Sequence, residues 1–170
     1  MPLSPTAIDA RARSLRLLLF DVDGVLTDGS EPQNFFIRDG AAMVWARRSG
    51  VLVGFLSGRV SEATNRRAAE LDIPIIIQGA ADKALAYNQL LGAQGLRDEE
   101  VAFMGDDLMD LPALARVGLS AAPADAATDV RDRVHWVSRY DGGRGAAREL
   151  IELVLRAQGR WDPLLHSFLT

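Results

Sequence analysis

The chain reads as an α/β protein, a three-layer doubly wound sheet of mostly parallel strands in one domain spanning residues 1–170. Three observations point there. Short apolar runs of strand length alternate with longer segments of helical spacing, the pattern of βαβ units with right-handed crossovers. The runs are brief, continuously apolar and bounded by polar or Gly residues, as in strands covered on both faces. A length of 170 residues, 48% hydrophobic and 25% charged, suits a single domain that buries its own core.

Taken in order, Leu17 to Phe20 is the first expected strand. The interval Asp28 to Asp39, with Gly29, Pro32 and then Phe35-Phe36-Ile37, breaks the alternation and is expected to form a hairpin or flap. A helix over Gly40 to Arg48 leads to a strand over Val51 to Leu56. A helix rich in Ala, Arg and Glu covers Ser61 to Leu71, followed by a strand at Ile75 to Ile77 and a helix at Asp82 to Leu91. Val101 to Met104 is a strand, Asp107 to Arg116 a helix and Val134 to Val137 a last strand. Gly145 to Gln158 has apolar residues at Ala146, Leu150, Ile151, Val154 and Leu155, a helical stripe. The tail, 160–170, holds Trp161, Leu164, Leu165 and Phe168 and is expected to dock on a surface.

Composition removes several functions. With no cysteine in the chain, disulfides, zinc–thiolate sites and cysteine nucleophiles are excluded. A net charge of −4 and a pI near 5.2 speak against a nucleic-acid partner, which calls for a basic face. No stretch approaches the roughly 18 apolar residues of a membrane span, and MPLSPTAIDARAR lacks the apolar run of a signal peptide. A cytoplasmic protein with no membrane or nucleic-acid partner is expected.

In open α/β sheets ligands bind beyond the carboxyl ends of the strands. Asp21-Val22-Asp23-Gly24 follows the first run, Ser57-Gly58-Arg59 the second and Gly105-Asp106-Asp107 the fourth, while Lys83 opens the helix after the third. Acids, a hydroxyl and a lysine thus converge, a set suited to phosphoryl transfer, which needs an in-line nucleophile and neutralised phosphate oxygens. Asp21 and Asp106 can supply carboxylates to Mg²⁺, and Asp23 its backbone carbonyl. The Asp23 side chain can protonate a leaving oxygen and later activate water. Ser57 and neighbouring N–H groups, that of Gly58 among them, can hold phosphate oxygens, and Lys83 adds positive charge. Taken singly, each segment also fits a turn, a helix start or a solvated lysine; their joint order and placement favour catalysis.

These residues resemble the motifs of the haloacid dehalogenase superfamily: Asp21-Val22-Asp23-Gly24-Val25-Leu26-Thr27, then Ser57, Lys83, and Gly105-Asp106-Asp107 with Asp110. The resemblance implies Asp21 as nucleophile, Asp23 as general acid/base, Ser57 and Lys83 as phosphate-positioning groups, and Mg²⁺ on Asp21, the Asp23 carbonyl and Asp106. Asp107 and Asp110 would lie in or next to the layer around those ligands. DVDGVLTDG, LSGR, RAAELDIP, QGAADK, GDDLMDLP and GGRGAARELIELVLRAQG are similar to segments of the 3-deoxy-D-manno-octulosonate 8-phosphate phosphatase family. That narrower resemblance implies a phosphorylated long-chain sugar acid as substrate, no cap domain and a homotetramer whose subunits help close each site. It also implies a place in lipopolysaccharide sugar synthesis. The flap is shorter than the family's usual hairpin. Arg59 is the candidate for the substrate carboxylate, because Arg pairs bidentately with planar anions; Arg144 is a second candidate.

Three other readings compete. A receiver-type signalling domain uses similar groups, but places its paired acids and acceptor Asp in a different order. A non-catalytic sugar-phosphate binding module has no need of the full Asp21, Asp23, Lys83 and Asp106 set. A nonulosonate 9-phosphate phosphatase would share the chemistry on another sugar acid. Gly142-Gly143-Arg144-Gly145 lacks the P-loop pattern, so no nucleotide site is expected, and His135, Met43 and Trp45 read as packing residues.

Overall fold

In the computed structural model of the chain, which describes residues 2–170, the first element is helix α1 (Pro5–Ala12), followed by β1 (Leu17–Phe20), α2 (Ile37–Arg48) and β2 (Leu52–Leu56). Next come α3 (Glu62–Glu70), β3 (Ile75–Ile77), α4 (Lys83–Gln94), β4 (Val101–Met104), α5 (Leu111–Leu114) and β5 (Leu119–Ala122). The chain ends with α6 (Thr128–Arg131), β6 (Trp136–Val137), α7 (Ala146–Ala157) and α8 (Trp161–His166). The strands form one parallel sheet in the order β3-β2-β1-β4-β5-β6.

Strand β1 is central, and all four of its residues are buried. Its side chains alternate between two cores. Leu18 and Phe20 join Val53, Phe55, Ala102 and Met104 under Met43 of α2 and Leu150, Ile151 and Val154 of α7. Leu17 and Leu19 join Leu56, Val101 and Phe103 under Tyr87 and Leu90 of α4. Each fully buried Leu or Phe contributes about 1.5–3 kcal/mol, which is why both faces of this strand must be apolar. The chain runs outward from β1 to β3, then returns to β4 on the other side. The crevice beyond β1 and β4 is therefore the switch point of the sheet, the position at which such sheets bind ligands.

The structure adds to and corrects the sequence reading. Strand β5, Leu-Ser-Ala-Ala, went unrecognised because small residues gave it no apolar signature. The last strand is shorter than expected, Trp136–Val137 alone; the preceding His135 accepts the Ser120 N–H on Nδ1 (3.0 Å), a packing role. The helix expected over Asp107 to Arg116 is a 3-10 turn, Leu108–Asp110, followed by one α turn in which Pro112 takes an early position. Helix α1 starts at a Ser4 cap with Pro5 behind it, signals that stood in the sequence, but only Ile8 and Ala12 of its residues are buried. No strand forms over residues 28–36, so the flap is an irregular loop rather than a hairpin, and α2 begins at Ile37 rather than Gly40. The tail folds onto α2, where Trp161 and Phe168 meet Trp45 edge-on at 6.2 and 5.8 Å. Among the described residues no helix is long and apolar enough to cross a membrane.

Asp39, in the first turn of α2, is 2% exposed. Its Oδ1 accepts the Arg148 N–H of α7 (3.0 Å), pinning α2 against the positive end of a second helix, while its Oδ2 has no hydrogen-bond partner among the described residues. Burial pushes the carboxyl up from 3.8 to about 6, against the opposing pull of the α7 backbone N–H groups and of Arg148 and Arg67. The folded value lies above the unfolded one, so this group stabilises the fold below about pH 4 and loses that contribution as pH rises through about 6. Asp39→Asn keeps an acceptor for Arg148 and removes the charge. Urea unfolding is expected to show the variant gaining on the wild type between pH 4 and 7, by on the order of 1–3 kcal/mol.

Candidate active site

Asp21 leaves β1 with its N–H still paired to Met104 of β4 (3.0 Å). A tight turn follows, in which the N–H groups of Val25, Leu26 and Thr27 all converge on the Val22 carbonyl. Gly24 sits in that turn at φ +81°, and a Cβ there would lie 1.9 Å from an Asp106 carboxylate oxygen. Only glycine allows the two loops to approach so closely. The glycine-rich segment supports the same turn: a Cβ on Gly142 would lie 1.8 Å from the Gly24 carbonyl, and Gly143 N–H donates to Val25 O (2.8 Å).

Carboxylate oxygens of Asp21, Asp106 and Asp110 lie within 4.8 Å of one another. Lys83, 4% exposed, donates to Asp21 Oδ2 (2.9 Å) and also pairs with Asp110. The other Asp110 oxygen accepts the N–H groups of Asp106 (3.0 Å) and Asp107 (3.2 Å). Both Asp110 oxygens are thus engaged, one holding Lys83 and the other shaping the Asp106 loop. Asp21 also accepts its neighbour's N–H, from Val22 (2.7 Å). Burial, then repulsion from Asp110, raises Asp21 to about 7 despite Lys83. Burial and the nearby acids Asp21, Asp110 and Asp107 raise Asp106 to about 8. Lys83 is held above its ordinary value: burial works against its charge, but Asp21 and Asp110 outweigh that cost. Three acids against one lysine leave an excess of negative charge, which a divalent cation between Asp21 and Asp106 would relieve. The donor set fits magnesium: hard carboxylate oxygens with the Asp23 carbonyl in the same turn.

Asp23 lies in a different environment. Arg59 forks onto it through Nε (3.0 Å) and Nη2 (2.7 Å) and also pairs with Glu31. Gln33 Nε2 donates to Asp23 Oδ1 (2.7 Å). Burial opposes its ionisation, but Arg59 and Gln33 prevail and hold the carboxyl below the usual range. Sequence reasoning missed Glu31 and Gln33, because nothing local marks a loop residue that folds back on the turn.

A cavity of about 670 Å³ opens over these groups, lined by Asp21, Asp23, Ser57, Gly58, Arg59, Lys83, Asp106, Asp107 and Asp110 among others. Ser57 is 3% exposed, and its Oγ accepts the Arg59 N–H (3.2 Å), so it shapes the loop that it starts. Asp125, also missed, lines the cavity and accepts the Gly142 N–H (2.8 Å). Arg144 is not among the lining residues; it faces Asp28 at 3.9 Å and borders a separate depression with Arg38, Tyr140 and Arg148.

A doubly wound sheet with paired acids after its first strand, a lysine held on the nucleophile-like carboxylate and an acidic loop after β4 defines a haloacid dehalogenase-like hydrolase. The model of that description matches residues 70–150. The chain is 41% identical over 169 residues to the 3-deoxy-D-manno-octulosonate 8-phosphate phosphatase of Escherichia coli K12, covering 95% of this chain and 89% of the relative. It superposes on a probable YrbI family phosphatase of Pseudomonas syringae pv. phaseolica with a TM-score of 0.94 at 41% identity, covering 97% and 98% of the two chains. A 3-deoxy-D-manno-octulosonate 8-phosphate phosphatase of Moraxella catarrhalis, solved with magnesium, phosphate and KDO, superposes with a TM-score of 0.92 at 34% identity, covering 95% and 97%. The chain belongs to the 3-deoxy-D-manno-octulosonate 8-phosphate phosphatase family.

Replacing Lys83 with Met would leave Asp21 and Asp110 buried without their cation. Denaturant unfolding in the absence of divalent ions is expected to show a loss of about 3–5 kcal/mol, the cost of breaking a buried ion group by removing one partner.

Proposed function

We propose that the protein hydrolyses 3-deoxy-D-manno-octulosonate 8-phosphate to the free sugar acid and phosphate, with Mg²⁺, through an aspartyl-phosphate on Asp21. The observation that carries the chemistry is the arrangement at the end of β1. Asp21 is held by Lys83 inside the acidic cluster, while Asp23, in the same turn, is held apart from it by Arg59 and Gln33. Identity of 41% across 95% of the chain supports the substrate.

In the first step an Asp21 oxygen attacks phosphorus, the bond from phosphorus to the sugar oxygen breaks, and Asp23 gives its proton to that oxygen. In the second, water attacks phosphorus and passes a proton to Asp23; the bond to Asp21 breaks and phosphate leaves. Lys83 offsets charge on Asp21 and on the transferring group throughout. Ser57 and the Gly58 N–H hold phosphate oxygens. Magnesium, on Asp21, Asp106 and the Asp23 carbonyl, supplies positive charge to the phosphate oxygens when bound. Asp107 and Asp110 position the loop that carries Asp106. Arg59 holds Asp23 ionised in the resting arrangement. Its transfer to the carboxylate of the sugar acid would free Asp23 to carry the proton for the first step. Arg144, outside the cavity, is the less direct candidate for substrate. A single cytoplasmic domain assembled as a homotetramer completes the reading; the exposed apolar side chains of Val60, next to Arg59, and Ile37 offer surface for such contacts.

The test is phosphate release from a panel of sugar phosphates, including the octulosonate 8-phosphate and a nonulosonate 9-phosphate, with Mg²⁺ and with EDTA. Activity is expected to need Mg²⁺, to favour the octulosonate and to vanish in Asp21→Asn with the fold retained. Substantial turnover by that variant would overturn the nucleophile. Arg59→Ala is expected to act chiefly on KM for a sugar-acid phosphate and much less on a neutral phosphate ester.

A further inference from the structure

The loop of residues 28–36 places one side chain directly on the catalytic turn. Gln33 donates to Asp23 Oδ1 at 2.7 Å. Its own Oε1 accepts from Ser61 Oγ (2.6 Å) and Thr64 Oγ1 (3.4 Å). Those hydroxyls sit at the start of α3, where Thr64 is buried at 1% exposure. Ser61 is fixed in turn by its N–H, which donates to Gln78 Oε1 (2.8 Å), and Gln78 Nε2 donates to Asn65 Oδ1 (2.7 Å). The amide of Gln33 is therefore anchored at its oxygen by the rigid start of a helix, which turns its nitrogen toward Asp23. On the other side Asp23 meets Arg59, an exposed side chain shared with Glu31. When Arg59 moves to a substrate, Gln33 is the contact that still holds the Asp23 carboxyl.

We propose that Gln33 is a positioning residue for the general acid, holding the Asp23 carboxyl on the leaving-group side of the cavity through a Ser61/Thr64–Gln33–Asp23 chain of hydrogen bonds. The proposal rests on the acid/base reading of Asp23. It gives the loop a role in the chemistry: residues 28–36 reach back to fix the acid on the turn after β1. A carboxyl left free to rotate spends less time on the leaving oxygen, and the loss is greatest where the departing group most needs a proton.

The experiment measures kcat/KM, which reports the steps up to the first phosphoryl transfer, at saturating Mg²⁺. Two esters are compared: an alkyl phosphate that the wild type turns over, and p-nitrophenyl phosphate, whose leaving group departs without a proton. Gln33→Ala is expected to lose about tenfold or more on the alkyl ester and less than about twofold on the aryl ester, a fraction of the effect of an acid itself. Gln33→Glu keeps the length and the hydroxyl partners but sets a carboxylate against Asp23, and is expected to lose at least as much on the alkyl ester. Ser61→Ala should follow the same pattern more weakly. Equal losses on both esters would assign Gln33 a merely structural role and overturn the proposal, as would wild-type activity in Gln33→Glu. Asp23→Asn serves as the reference. If it shows the leaving-group preference and Gln33→Ala does not, the proposal alone fails. If Asp23→Asn shows no preference, the acid assignment fails and takes the proposal with it.

Discussion

Three carboxylates crowd together at the switch point of the sheet around one lysine that pairs with two of them, and much of the local structure follows from keeping them there. Asp21 comes from the loop after β1, Asp106 and Asp110 both from the segment after β4, and each approach demands a backbone that can admit it. Gly24 and Gly105 leave room where a Cβ would strike Asp106 and Asp110 respectively. Gly142 and Gly143 let the segment before α7 press on the turn that carries Asp21. Asp110 uses one oxygen on Lys83 and the other on the N–H groups of Asp106 and Asp107. The arrangement is electrostatically incomplete: burial and the repulsion of neighbouring carboxylates drive Asp21 and Asp106 up to about 7 and 8 despite Lys83. A protein that pays this cost in folding gains a site ready for a divalent ion and a phosphate.

A second constraint separates the two acids of the first turn. Asp21 is buried and crowded by like charge, whereas Asp23 is held by an arginine and an amide. Pushing the environments of two neighbouring carboxyls apart would let one site provide both a nucleophile and a proton carrier, as the proposed mechanism requires. The groups that hold Asp23 come from outside the sheet. Arg59 follows β2, while Gln33, and Glu31 which pairs with Arg59, belong to the irregular loop after β1. The loop therefore reaches the turn that carries Asp23 from outside the sheet.

The sheet was legible where strands were bulky and apolar. Leu17 to Phe20 and Val101 to Met104 emerged with the bounds expected, and with them the loops that carry Asp21 and Asp106. Strand β5 was hidden because Ser120, Ala121 and Ala122 are small, their place fixed by neighbouring strands rather than by their own hydrophobicity. Proximity of Asp21, Lys83 and Asp106 followed from their places at strand ends or a helix start, whereas that of Asp110 came only from the family resemblance. Gln33, Glu31 and Asp39 were invisible for the opposite reason. Their partners lie 10, 28 and 109 residues away and are reached through loop geometry that no periodicity encodes.

The central claim is that the carboxylate cluster is built to be completed by a divalent cation. Calorimetric titration of the substrate-free protein with Mg²⁺, beside the same titration of Asp106→Asn, tests it most directly. The account expects one ion per chain, bound by the wild type and lost or greatly weakened in the variant. No binding to the wild type, or equal binding to both proteins, would contradict it.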